Sequence, residues 1–84
     1  MSLRFEWDPA KAASNEVKHD VTFEEAATAF GDPLSVTIED PDHSTTEDRF
    51  VMLGVCARGR LLVVVHTERG DKIRIIGARA ATSR

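Results

Sequence analysis

The chain has 84 residues and a formal net charge of −3. That length holds one domain, 1–84, with a core so small that a partner or an oligomer would help it. No apolar run approaches the ~20 residues that cross a bilayer, and Met1-Ser2-Leu3-Arg4 leads into a polar segment rather than a secretory leader, so a cytoplasmic location is expected. Cys56 is the single cysteine, which excludes an internal disulfide and a cysteine-based metal site. It sits in an apolar strand pattern as a buried thiol. The net charge hides a split. From Arg58 onward seven basic residues face two acids, and before Arg58 four face twelve. Unless folding interleaves the halves, one surface suits a polyanion and another repels it.

Arg4 to Trp7 reads as a short edge strand. Asp8-Pro9 starts a helix, because Asp accepts from free N–H groups and Pro suits the first helical position. Ala10, Ala13 and Val17 fall near one face at helical spacing, and the helix ends at His19-Asp20. Thr22-Phe23-Glu24-Glu25 is a capping box, with Val21 and Ala26 placed as a hydrophobic staple. The second helix runs from Phe23 to Phe30 and stops at Gly31-Asp32-Pro33. Leu34 to Glu39 alternates as a strand, Asp40 to Thr46 is an acidic loop, and Glu47 to Ala57 is a longer strand. Arg58-Gly59 turns the chain into Arg60 to Glu68, and Arg69-Gly70-Asp71 turns it into Lys72 to Ile76. Ala78 to Arg84 reads as a last helical turn. Strands joined by short Gly turns make an antiparallel meander. The expected fold is α+β, two N-terminal helices packed on one face of a four-stranded antiparallel sheet, with a short C-terminal helical segment. Leu61 to Val65 is apolar throughout and asks for cover on both faces. Two helices cover one, leaving the other to the C-terminal segment or a partner.

Acid–base chemistry at a charged centre needs a base to take a proton, an acid to give one to the leaving group, and cations to steady the charge that develops. Lys18, His19, His66, Glu68, Arg69, Arg74 and Arg79 are of the right types. No metal-spaced ligand cluster, phosphate-cradling Gly loop or nucleophile elbow accompanies them, and no cofactor is expected. Alternation puts Lys72 and Arg74 on the face opposite Ile73 and Ile75, which belong to the core. Each candidate also has a plain role. Lys18 and His19 close a helix, where cations meet the negative dipole end. His66 ends an apolar run as a core histidine would. Arg69 stands at a turn, and Arg79 can meet a phosphate or a partner's acid. Trp7 beside Phe5 reads as a core anchor.

The stretch Phe5-Glu6-Trp7-Asp8-Pro9-Ala10-Lys11, with Asn15, Lys18-His19 and Val21-Thr22-Phe23-Glu24-Glu25-Ala26, resembles the N-terminal signature of the BrnT family, the toxin half of a bacterial type II toxin–antitoxin pair. Arg58 to Asp71 and Ile73 to Thr82 are similar to its closing strands and helix. The resemblance implies a fold like that of RelE-type ribonucleases and a metal-independent endoribonuclease that cleaves messenger RNA and inhibits translation. Lys18 and His19 match a recurring Lys-His pair, and Arg74 and Arg79 match two recurring arginines, which makes these four the catalytic candidates. Arg69, Lys72 and His66 are the RNA-binding candidates. Gly77 stands where relatives usually carry Ser, and the chain stops at Arg84 where they usually continue. The implied partner is a ribbon-helix-helix antitoxin that carries any DNA binding, in a hetero-tetramer, with a toxin homodimer as the other assembly. The alternative reading is a non-catalytic, antitoxin-binding co-repressor.

Overall fold

The computed structural model describes residues 3–40 and 49–81. Strand β1 (Arg4–Glu6) leads into α1 (Pro9–His19) and α2 (Phe23–Thr28), which continues as a 3-10 turn at Ala29–Gly31. Strands β2 (Val36–Glu39), β3 (Arg49–Val55), β4 (Leu61–Arg69) and β5 (Lys72–Ala80) follow. The sheet order is β1-β5-β4-β3-β2. The meander from β2 to β5 is antiparallel throughout. The sheet nonetheless has five strands, not four, because β1 joins β5 in parallel, pairing Arg4 with Lys72 and Glu6 with Arg74.

Local signals set the helix ends. The Asp8 carboxylate accepts from the Ala10 amide at 2.8 Å, and Asp20 closes α1 in the left-handed conformation, φ 57°. Thr22 accepts from the Glu25 amide at 3.0 Å. Only half of the expected capping box forms, since the Glu25 side chain turns away to Arg60 and Cys56. Val21 and Ala26 are both fully buried.

Three other expectations are corrected. Ala10, Ala13 and Val17 do not face the core; all three are exposed. What docks α1 is polar. Asn15 is buried, donating to the Val21 and Ala78 carbonyls at 3.0 and 2.8 Å and accepting from the Ala78 amide at 3.1 Å. Its carboxamide replaces a neighbouring strand where β5 outruns β1. Ala78 to Ala80 is strand rather than helix, pairing with Val64 through Leu62. Cross-strand pairing overrides the helix preference of alanine here. The remaining expected helical residues, 82–84, lie outside the described residues, as do most of the acidic loop and 47–48. Finally, β3 stops at Val55, and Cys56 to Arg60 form the turn, with Gly59 at φ 86°.

Both helices lie on one face of the sheet. Phe23, Ala26 and Ala29 pack there with Met52, Leu62, Val64, Ile75 and Ala78. Gly54 permits this closeness, as a Cβ there would stand 2.8 Å from the Ala29 carbonyl oxygen. The other face carries no helix among the described residues. There Val36, Ile38, Leu53, Val55 and Leu61 are 40–59% exposed, while Val63 and Val65 are half-buried, so among the described residues the far side of Leu61 to Val65 is covered only in part.

Candidate functional site

The sequence-predicted residues fall into four places. Lys18 and His19 occupy the last turn of α1. With Lys11, Ser14, Asn15 and Ile76 they line a shallow cleft of about 190 Å³. Lys11, Ser14 and Lys18 reach it from one side of the helix, at spacings of three and four residues. Ile76 reaches it because a bulge in β5 between the partners of Val65 and His66 leaves Ile76 unpaired. Bulges re-aim side chains in this way.

Arg74, Lys72 and Arg69 form a second group on the helix-free face. All three surround Glu6 of β1, at 3.5, 4.0 and 3.9 Å respectively. One carboxylate faces three cations, so the patch keeps positive charge, and Arg4 adds an exposed pair with Asp71 at 3.3 Å. Arg79 lies on the same face near the other end of β5, opposite Val63. It is exposed and makes no ion pair among the described residues. About five residues separate it from Arg74, roughly 16 Å along a strand. No single cleft therefore holds Lys18, His19, Arg74 and Arg79. The first two stand on the helix side of β5 and the arginines on the other, with the part of β5 that outruns β1, held at Ala78 by Asn15, between them.

His66 is the exception. It lies in the core, 1% exposed, with its ring 4.9 Å from Phe30 and stacked 5.6 Å from Phe50. The expectation of an RNA-binding His66 is corrected on this geometry, because a ring enclosed between phenylalanines meets no phosphate. Burial pushes its pKa down to about 4. The sign of its effect on stability follows. Unfolding lets the ring take a proton below about 6.5, whereas the folded protein resists until about 4. Stability from this group is full above pH 6.5 and falls between 6.5 and 4, by up to about 3 kcal/mol. His66→Phe should flatten denaturation midpoints over that pH range. An unchanged slope would show that other groups govern the acid limb.

Sequence reasoning missed one cluster. Glu25 is buried and accepts from Arg60 Nε at 2.9 Å, from an Arg60 terminal nitrogen at 2.8 Å and from Cys56 Sγ at 3.0 Å. The Arg60 guanidinium beside it holds its carboxyl below the usual range, against the opposing effect of burial, with the Cys56 thiol helping. The available signal was an acid inside an otherwise apolar helix face, which demands a cation. The cluster ties α2 to the β3–β4 turn. It reads as structural, because both oxygens of the buried Glu25 carboxylate are taken by Arg60 and Cys56.

The profile described as "Ribonuclease toxin, BrnT, of type II toxin-antitoxin system" matches residues 7–84. The chain belongs to the BrnT family. Its fold is similar to the 1.1 Å crystal structure of the Brucella abortus ribonuclease toxin BrnT, with a TM-score of 0.70 and 18% identity over 98% of this chain and 100% of that one. At that identity the likeness speaks for the fold. Comparison with curated protein sequences finds no match. As a BrnT-family chain it belongs with the ribonuclease toxins of type II systems, whose logic implies an antitoxin partner. No described helix is long and apolar enough to cross a membrane.

Proposed function

We propose that this BrnT-family chain is a metal-independent endoribonuclease that cleaves messenger RNA and inhibits translation. The observation that carries it is the placing of lysine, histidine and arginine side chains on the two sides of the part of β5 that outruns β1. Lys11, Lys18 and His19 stand above it and Arg79 below, with Gly77 adding no side chain between them. A single RNA strand lying over that part of β5 meets proton-transfer groups from α1 and a guanidinium from the sheet. Lys18 and His19 serve as base and acid toward the 2′-OH and the leaving oxygen. Arg79 steadies the phosphorane. Arg74, with Lys72 and Arg69, holds a neighbouring phosphate.

Cleavage should persist in the presence of a chelator, because no group of three His, Cys, Asp or Glu stands ready for a metal among the described residues. Loss of cleavage on chelation and its return with magnesium would overturn metal independence.

The neutralising partner is a ribbon-helix-helix antitoxin. Its inhibitory segment combines apolar side chains for the Val36, Ile38, Leu53, Val55 and Leu61 patch with acids for the neighbouring arginines. Binding by such a segment excludes RNA. Labelled RNA should be released when antitoxin is added, and a stable ternary complex would rule out inhibition by occupation. The reading as a whole is tested by inducing the chain in bacteria with and without its antitoxin, following growth and RNA integrity. Normal growth with intact RNA would favour the non-catalytic co-repressor.

A further inference from the structure

Among the described residues two buried side chains carry polar atoms with no hydrogen-bond partner, His66 and Thr67. They are neighbours in β4, so alternation sends them to opposite faces of the sheet. His66 enters the core among aromatic rings. Thr67 faces the helix-free side, and its surroundings there are of another kind. The register pairs it with Arg49 on β3 and with Arg74 on β5. Adjacent strands lie about 4.8 Å apart, so a hydroxyl sits midway in a row that runs Glu6, Arg74, Thr67, Arg49 across four strands. Arg49 makes no side-chain ion pair or hydrogen bond among the described residues, and Arg74 has only Glu6, at 3.5 Å.

A buried hydroxyl without a partner is uncommon, because it forfeits its hydrogen bonds to water. Here its cross-strand neighbours on both sides are arginines. The other buried polar side chains, Asn15 and Glu25, are fully engaged. Thr67 is 1% exposed. Its neighbours on the same face are Arg49, Arg74, Arg69 and Val65, and the Arg69 and Arg74 side chains are 59% and 34% exposed. The cover from these neighbours is thus largely long charged side chains, which change rotamer readily.

We propose that Thr67 is a phosphate-binding position of the RNA site, its hydroxyl donating to a non-bridging phosphoryl oxygen that Arg49 and Arg74 hold between them. This assigns Thr67 and Arg49 to RNA binding and rests on the ribonuclease reading for the identity of the ligand. It makes Arg74 an anchoring group for a phosphate beyond the one cleaved. The hydroxyl is left unsatisfied in the free protein and becomes satisfied when RNA arrives.

That arrangement has a signature that a structural threonine lacks. In Thr67→Val no protein hydrogen bond is lost, so its Tm should equal or exceed that of the parent. Thr67→Ser retains the donor and should bind as the parent does. The experiment is an amide NMR titration of all three proteins, first with inorganic phosphate and then with a short RNA, beside thermal melts. In the parent, phosphate should shift the amides of Arg49, Thr67 and Arg74 most. In Thr67→Val affinity for both probes should fall roughly tenfold to a hundredfold, the worth of a hydrogen bond to a charged group. Equal phosphate affinity in the valine variant would overturn the proposal, as would a marked fall in its Tm. A parent that binds phosphate in this row but cleaves no RNA would leave the site standing and refute the ribonuclease reading alone.

Discussion

Glu25→Ala should lower stability by roughly 2–3 kcal/mol, which in a domain of this size displaces Tm by at least about 8 °C. The carboxylate is 7% exposed and collects donors from three directions. Arg60 grips both oxygens, the Cys56 thiol donates to one, and Arg58 stands 3.9 Å away. Arg60 also donates to the Asp20 carbonyl at 2.8 Å, so the same guanidinium anchors the end of α1. Removing Glu25 strips Arg60 and Cys56 of their common acceptor and unties α2 from the β3–β4 turn. Arg60 remains one-third exposed and can turn to water. That is why the expected loss lies below the roughly 3–5 kcal/mol of a fully buried pair that is broken. The pH dependence gives a second reading. Arg60 lowers the Glu25 pKa in the folded protein, so the stability it contributes is complete above the unfolded carboxyl value near 4.5. It disappears as pH falls through the folded value. The parent should therefore lose its advantage over Glu25→Ala in acid. A variant that melts with the parent at pH 7 would show that the cluster is idle.

The ends of the helices and the turns of the meander were legible because they depend on single residues. Asp8-Pro9, Thr22, Gly59 and Gly70 each fix a local conformation that few other residues adopt as readily. The interior of α1 was not. Its apolar residues fall at helical spacing, yet Val17 is 87% exposed, because Asn15 fastens the helix through hydrogen bonds to β5 that no hydropathy pattern reveals. The extension of β5 through Ala80 was hidden for a related reason. Alanines that favour a helix in isolation become strand when Leu62 and Val64 offer backbone partners. Arg4 to Trp7 reads as an edge strand, but nothing in its residues names β5 as the partner. Joining β1 to β5 in parallel is a long-range choice, and it is what brings Glu6 among Arg69, Lys72 and Arg74. At the candidate site, residue types were readable and their grouping was not. Alternation placed Arg74 opposite the Ile73 and Ile75 face, as the structure has it. The bulge at Ile76 then shifts the phase of β5, and that shift puts Arg79 on the face of Arg74 and turns Ile76 toward Lys18 and His19. An extra residue in a ladder leaves no mark in composition or period.

Replacing Arg74 and Arg79 together with alanine should abolish toxicity while leaving the fold intact. Arg79, meeting charge that develops in the transition state, is worth roughly 2–4 kcal/mol, and Arg74, as a phosphate anchor, adds roughly 1.5–3 kcal/mol of binding, so the pair together accounts for more than a growth assay can register as residual activity. Stability should change little. Arg79 is exposed without an ion pair among the described residues, and the Arg74–Glu6 contact is of a partly exposed kind that contributes about 0–1 kcal/mol. Glu6 keeps Arg69 and Lys72 nearby after Arg74 is gone. The single variants should differ in kind. Arg79→Ala, across β5 from the proton-transfer groups, should lower kcat. Arg74→Ala, in the anchoring row, should chiefly raise KM and flatten the salt dependence of RNA binding by about one ion. Lys18→Ala and His19→Ala should behave as Arg79→Ala does, losing turnover with RNA affinity largely kept. If the double variant folds and still arrests growth as fast as the parent, the phosphate being cleaved lies elsewhere. If Arg74→Ala alone removes turnover without touching affinity, the chemistry belongs to the helix-free face, and the α1 cleft serves only to guide the strand.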